Sequence, residues 1–344
     1  MEVVPYRDEF KDAVVALWGF DKGSAYVRNK RAIWDWQYSE NPCAGNLSKG
    51  MAVIDDGEVV AFLGIMPVML KYGDRVVEAH WTLDGVMDPR LRGKGYGFKA
   101  YDAGVKAGEQ YSMGIGMNDI TEHLLKKSGC IGNDEVEQYV YSNKSGGLKD
   151  AAKKAIQQLT VLKHLAGRPS VKDLTVRVIA AADMPKDVDT LWASVMGGYD
   201  KIVVRDYSYM HWKYGRHPLA NYRLVVVERG KELAGVGVFR KGKTRSWLVD
   251  YLGPADDLAV KFLIAKTFKH ECSRSEFLQC ISSDKQMGTA LEQVGIRRYK
   301  EKERFYVYSA IEGDEDYEKN WFIMGGESDG DIGDHLLELQ EEGQ

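Results

Sequence analysis

The chain has 344 residues, of which 44% are hydrophobic and 28% charged, with a formal net charge of −4. That length is too great for one ordinary core and suits two domains of a soluble globular protein. The absence of a long basic run argues against a nucleic-acid-binding face, and no segment has the apolar length of a transmembrane helix.

The N-terminus, MEVVPYRDEF, carries acids and no apolar run, so no secretory leader is expected. A helical stretch ending at Leu17-Trp18 precedes the aromatic run Trp34, Trp36 and Tyr38, which is followed by Asn41-Pro42. Ala52–Ile54 and Val59–Met66 flank Asp55-Asp56-Gly57-Glu58, the acid-and-glycine chemistry of a tight hairpin. Residues His80–Met87 alternate as a strand, which Asp88-Pro89 ends because proline cannot continue a ladder. Arg92-Gly93-Lys94-Gly95-Tyr96-Gly97 comes next, then a helix over Phe98–Ala107.

The same order returns later. Trp212-Lys213-Tyr214 with His217-Pro218 repeats the Trp-x-Tyr-x-x-x-Pro spacing, again after a helical Leu191-Trp192 and before a hairpin, Leu224–Val227 and Glu232–Phe239. Leu125–Cys130 and Leu291–Ile296 close the two copies alike. A duplicated α/β domain follows: residues 1–142, a linker helix within 143–173 opened by Ser145-Gly146-Gly147, a second copy at 174–312, and an acidic tail at 313–344. In that tail Trp321–Met324 is expected to dock and the last dozen residues to be disordered. Cys43, Cys130, Cys272 and Cys280 form no CxxC pair and read as reduced thiols of a cytoplasmic protein. The histidines and cysteines lack zinc-ligand spacing, so no metal is expected.

Glycines at 93, 95 and 97 let backbone approach a bulky anion at a helix N-terminus, where amide groups and the helix dipole favour a diphosphate. The spacing is not G-x-G-x-x-G, and Lys94 is not followed by Ser or Thr, so neither a dinucleotide fingerprint nor a P-loop fits. Arg92, Gly95 and Gly97 resemble the Arg/Gln-x-x-Gly-x-Gly/Ala loop of the GNAT acyltransferase superfamily. Asn118, Thr121, Leu125 and Gly129 keep the spacing of a second family element.

The resemblance implies two tandem GNAT-like domains, each a mixed, mostly antiparallel twisted sheet flanked by helices. It implies acetyl-CoA or another short acyl-CoA as acyl donor. The pyrophosphate is expected on Arg92, Gly93, Lys94, Gly95, Tyr96, Gly97 and Phe98. The pantetheine arm is expected beside Gly85, Val86 and Met87, with Asn118 on its far side. Leu125 stands where the family often has the Tyr that protonates the leaving thiolate, so that role does not carry over.

Attack needs a neutral amine, hence a proton acceptor. Alternation puts His80, Thr82, Asp84 and Val86 on one face, and His80 occupies the family's base position, with Asp84 as base or as partner to His80. In the second copy, Arg245–Leu252 runs into Gly253-Pro254-Ala255-Asp256-Asp257, whose carboxylates would repel a diphosphate, so CoA is not expected there. Trp34, Trp36, Tyr38, Trp247, Asp250 and Tyr251 are candidates to hold the acceptor or, alternatively, to build core. The whole-chain layout resembles bacterial acyltransferases of polysaccharide synthesis, which makes the amine of a nucleotide-linked amino sugar the leading acceptor. A peptide or other small amine, and a non-catalytic acyl-CoA sensor, are the alternatives.

Overall fold

The computed structural model describes residues 1–45, 47–108, 110–144 and 147–342; Ser145 and Gly146, expected to open the linker, lie outside them. The first half runs β1 (Glu2–Pro5), α1 (Lys11–Leu17), α2 (Gly19–Tyr38), β2 (Gly50–Asp55), β3 (Glu58–Tyr72), β4 (Arg75–Met87), α3 (Tyr96–Val105), β5 (Tyr111–Ile115), α4 (Asp119–Lys127), β6 (Ile131–Asn133) and β7 (Glu137–Ser142). The linker is α5 (Gly147–Lys163). The second half runs β8 (Leu174–Ala180), α6 (Val188–Val195), β9 (Lys201–Val203), α7 (Tyr207–Met210), β10 (Tyr222–Arg229), β11 (Glu232–Arg240), β12 (Arg245–Leu252), α8 (Leu258–Glu271), β13 (Phe277–Ser282), α9 (Lys285–Gln293), β14 (Arg297–Lys302), β15 (Phe305–Ser309) and α10 (Gly330–Glu342).

Two mixed, mostly antiparallel sheets result, as the duplication implied. The first has the order β1-β2-β3-β4-β5-β15-β6 with β9 on β3, the second β14-β7-β13-β12-β11-β10-β8. Each contains a single parallel pair, β4 with β5 and β12 with β13. The expected boundary at residue 142 does not divide the sheets. β7, from the first copy, pairs β13 and β14, while β15, from the second, sits between β5 and β6. Neither sheet is complete from its own half.

The hairpins form as their turn chemistry dictates: Asp56 and Gly57, at φ 49° and 81°, join β2 to β3. α2 is interrupted at Gly23, where φ is 80°. In the described part of the tail, Trp321, Phe322, Ile323 and Met324 are buried, and α10, through the stretch where disorder was expected, packs on α2.

The Trp-x-Tyr elements form the join between halves. The Trp36 indole donates to the Trp212 carbonyl and the Trp212 indole to the Trp36 carbonyl, both at 2.9 Å, with the rings stacked at 5.2 Å. Reciprocal contacts of this kind are what a two-fold relation between duplicated parts produces. The aromatic residues considered for the acceptor are therefore core. Trp34 packs among Tyr6, Trp18, Tyr38 and Phe62 at 1% exposure, and Trp36, Tyr38, Trp247, Asp250 and Tyr251 are buried as well. Their rings are buried, Trp36 against Trp212 at the join, and offer no exposed face to a ligand.

Candidate functional site

The site begins with a bulge. Along β3 and β4, Phe62 opposes Val86 and Gly64 opposes Leu83, so Asp84 and Gly85 together face Leu63. Asp84 adopts φ 57°, a left-handed conformation that Asp tolerates better than most side chains. β4 pairs β5 only over Ala79–Trp81. Thr82 Oγ1 still donates to the Met113 carbonyl at 3.2 Å, and beyond it Leu83–Met87 has no ladder partner on β5, which makes this edge the candidate groove. β-Bulges commonly re-aim side chains beside functional sites.

The bulge overturns the expected shared face of His80 and Asp84. His80 points to the α3 side, where its Nε2 lies 3.0 Å from the Gly104 carbonyl. It is 1% exposed, and burial depresses its pKa to about 4, the Gly104 carbonyl opposing only in part. A ring so enclosed and so satisfied is a core histidine rather than the proton acceptor of a solvent-fed site.

Asp84 turns instead to the α2 side. Its carboxylate forms a buried ion pair with Lys30 and accepts from Gln37 Nε2 at 2.8 Å and the Tyr38 hydroxyl at 2.7 Å. A buried carboxylate needs such saturation, since an unpaired one costs several kcal/mol. Asp84 is thus fully engaged and no partner of His80.

At the end of β4, the Asp88 carboxylate accepts from Arg90 N at 2.9 Å and holds the Arg90 guanidinium. Gly93 and Gly95 then take φ 81° and 87°, and a Cβ at either would meet open space, so conformation rather than crowding selects glycine there. Arg92, Gly93, Lys94 and Gly95 are exposed, and α3 starts at Tyr96 with no side-chain cap on its first-turn amides. An uncapped helix N-terminus at an exposed glycine turn leaves amides with which an anion could pair. The Tyr96 hydroxyl ties the turn to Asp55 at 2.7 Å, Arg92 pairs Asp21, and Lys127 lies 4.0 Å from the Phe98 ring centroid. Asn118 is exposed and caps α4, accepting from Thr121 N at 2.9 Å.

Two further residues lie near the bulge. Tyr101, on α3, lays its hydroxyl over Gly85: a Cβ at Gly85 would stand 2.2 Å from that oxygen. The hydroxyl pairs with Thr121, packs beside Leu125, and is held protonated by burial, which raises its pKa. Asp329 lies in the tail, within electrostatic reach of Asp84, Lys30, Tyr26, Tyr38 and Tyr101. The sequence offered little for either, because each is placed by tertiary packing. The Asp84-Gly85 pair was the one local signal of the bulge itself.

The second copy repeats the framework with its groove filled. Along β11 and β12, Val238 opposes Asp250 and Phe239 opposes Leu248, again one residue in excess. Asp250 is held by Arg205 and by the Tyr214 hydroxyl at 2.8 Å, as Asp84 is by Lys30 and Tyr38. Beyond Leu248, however, the tail lies between β12 and β13. Ser283 N donates to the Ile323 carbonyl at 3.0 Å, and Gly326 N donates to the Val249 carbonyl at 2.8 Å. The N-terminus of α8 is capped from within, Asp257 accepting from Val260 N at 3.0 Å while held by Arg229 at 2.9 Å. Among the described residues, no group of His, Cys, Asp and Glu is placed to hold a metal, and no helix is long and apolar enough to cross a membrane.

No family model and no curated protein matches the chain. Solved structures do. A probable N-acyltransferase from Enterococcus faecalis V583 aligns with TM-score 0.59 at 9% identity, over 90% of this chain and 72% of that one. A tandem GNAT protein from the clavulanic acid biosynthesis pathway aligns with TM-score 0.52 at 11% identity, over 91% and 99%. Saccharomyces cerevisiae N-myristoyltransferase with bound myristoyl-CoA aligns with TM-score 0.55 at 11% identity, over 89% and 80%. The likeness to these structures is one of fold. The chain has the tandem GNAT fold.

Proposed function

We propose that the chain is an acyl-CoA-dependent N-acyltransferase that uses the groove of its first copy and transfers a short acyl group to a primary amine. One contrast carries the reading. The first copy keeps a parted strand pair leading to an uncapped helix N-terminus behind two left-handed glycines, whereas the second fills the gap with the tail and caps its helix with Asp257. Amides around Gly93–Phe98 would hold the CoA pyrophosphate. Gly85, Val86 and Met87 would pair with the pantetheine arm, and Asn118 would border it.

Amine attack on the thioester expels a thiolate, which benefits from a proton donor. Leu125 has none. The Tyr101 hydroxyl, enclosed above Gly85 and protonated, supports that role. The amino group of a nucleotide-linked amino sugar is the acceptor to test first; it rests on the sequence resemblance, since the buried aromatic rings lend no stacking platform. The free, mostly buried cysteines agree with a reducing compartment such as the cytoplasm.

Titration calorimetry with acetyl-CoA, paired with a thiol-release assay over amino-sugar, amino-acid and peptide amines, tests the reading. One CoA per chain is expected, with binding lost in Gly95→Asp, which puts a carboxylate at the anion site. Two CoA molecules per chain, or an unaffected Gly95→Asp, would contradict it. Binding without turnover on any amine would favour a sensor.

A further inference from the structure

We infer that Asp329, delivered by the C-terminal segment, is the group that takes the proton from the acceptor amine in the first copy's groove. This rests on the acyl-transfer reading above. The course of the tail is the argument. Residues 321–326 bridge the ends of β13 and β12, as if a missing strand had been supplied from outside. Glu327 then pairs with Arg205, which also holds Asp250, and Lys213 Nζ donates to the Glu327 and Ser328 carbonyls at 2.8 and 3.3 Å. Asp331 anchors the far side, accepting from the Tyr222 hydroxyl at 2.7 Å, and α10 packs on α2. Between these fixed points the chain crosses from the second bulge to the first, and Asp329 is the carboxylate at the crossing.

Every other buried acid of the two bulges is committed. Asp84 has Lys30, Gln37 and Tyr38; Asp250 has Arg205 and Tyr214; Glu327 has Arg205. Asp329 has no cation within ion-pair distance among the described residues; its carboxylate is met by the Ser328 hydroxyl, at 3.4 Å, and by its own backbone N–H. It lies deep yet keeps partial access to solvent. The groups that face it are Asp84 on β4, Lys30, Tyr26 and Tyr38 on α2, and Tyr101 on α3. Burial, then the Asp84 charge, push its pKa up to about 6, against the pull of Lys30. An uncommitted carboxylate costs stability wherever it sits, and a protein keeps one where a proton must be received.

The step balances without any further reagent. The amine nitrogen bonds to the thioester carbonyl carbon, and its proton passes to the Asp329 carboxylate. The C–S bond then breaks, and the thiolate takes a proton from the Tyr101 hydroxyl, which is reprotonated from solvent as Asp329 releases its own. Amide and free CoA result.

The test uses the full chain with Asp329→Asn and Asp329→Glu, measuring CoA binding, stability, and thiol release from acetyl-CoA with the amine panel. For Asp329→Asn the expected result is turnover reduced about a hundredfold or more. CoA affinity should be unchanged, stability at neutral pH equal to or above wild type, and the fall in kcat/KM below about pH 6 lost. Asp329→Glu, which keeps the charge, recovers part of the rate. Turnover within twofold of wild type in Asp329→Asn would overturn the proposal. So would parallel losses of stability and CoA binding, which mean a structural role. If the wild type binds CoA and releases thiol with no amine, the acyl-transfer reading itself fails and this proposal with it.

Discussion

His80 and Asp84 share a strand and meet opposite fates. His80 is neutral, enclosed and satisfied by one carbonyl; Asp84 is charged, enclosed and held by three side chains. The unfolded His80 takes a proton near pH 6.5, the folded one only near 4. Between those values the unfolded chain binds more protons, so His80 stabilises the fold above about pH 6.5 and that contribution, about 3 kcal/mol, is lost as pH falls toward 4. Denaturant unfolding against pH should therefore show a shallower acid decline in His80→Gln; an unchanged slope would refute the assignment. Asp329 and Glu327, pushed up to about 6 and about 7 by burial, act in the opposite direction and lower stability as pH rises through those values. For Asp84, replacement by Ala strands the Lys30 charge and should cost about 3–5 kcal/mol in the same measurement. A loss below about 1 kcal/mol would mean that Lys30 finds another partner.

At the scale of the element, the strand-to-helix unit was largely readable. Alternation marked His80–Met87, Asp88-Pro89 marked its end, and the glycines marked the turn, because each is a local backbone preference. The alternation failed at one point: the extra residue at Asp84-Gly85 reset which side each later side chain faces, and a period-two pattern carries no memory of an insertion. Gly85 tests the unit. Gly85→Ala drives a methyl into the Tyr101 hydroxyl and should reduce both stability and CoA affinity, while adding Tyr101→Phe should restore part of each by removing the clashing oxygen. Additive losses in the double variant would show that the two residues do not touch. Gly95→Ala meets no atom but must hold φ 87°, so about 1 kcal/mol of stability should be lost through conformation alone, as thermal unfolding would show.

At the scale of the whole molecule, duplication was legible because Trp-x-Tyr-x-x-x-Pro recurs with its neighbours in order, and both Trp residues prove to meet at the join. The exchange of β7 and β15 was not legible, since which sheet a strand joins is decided by long-range pairing and leaves no mark in its own residues. Nor was the tail, read as a docked cluster followed by disorder, recognisable as a segment that fills the second groove. These exchanges make the halves interdependent. Residues 1–142 alone lack β15 and should not fold, which circular dichroism would show. Truncation before Trp321 removes four buried apolar side chains, each contributing about 2 kcal/mol. The sum rivals the whole stability of an ordinary domain, so the truncated chain should unfold or populate an expanded state. A truncated chain with native stability would contradict this account of the tail.

The most direct measurement is a crystal structure of the full chain soaked with acetyl-CoA. The account predicts one molecule per chain, its diphosphate on the amides of Gly93–Phe98, its arm between β4 and β5, and nothing between β12 and β13, where residues 321–326 already lie. A diphosphate at the N-terminus of α8, or one anywhere other than the Arg92–Phe98 turn, would contradict it.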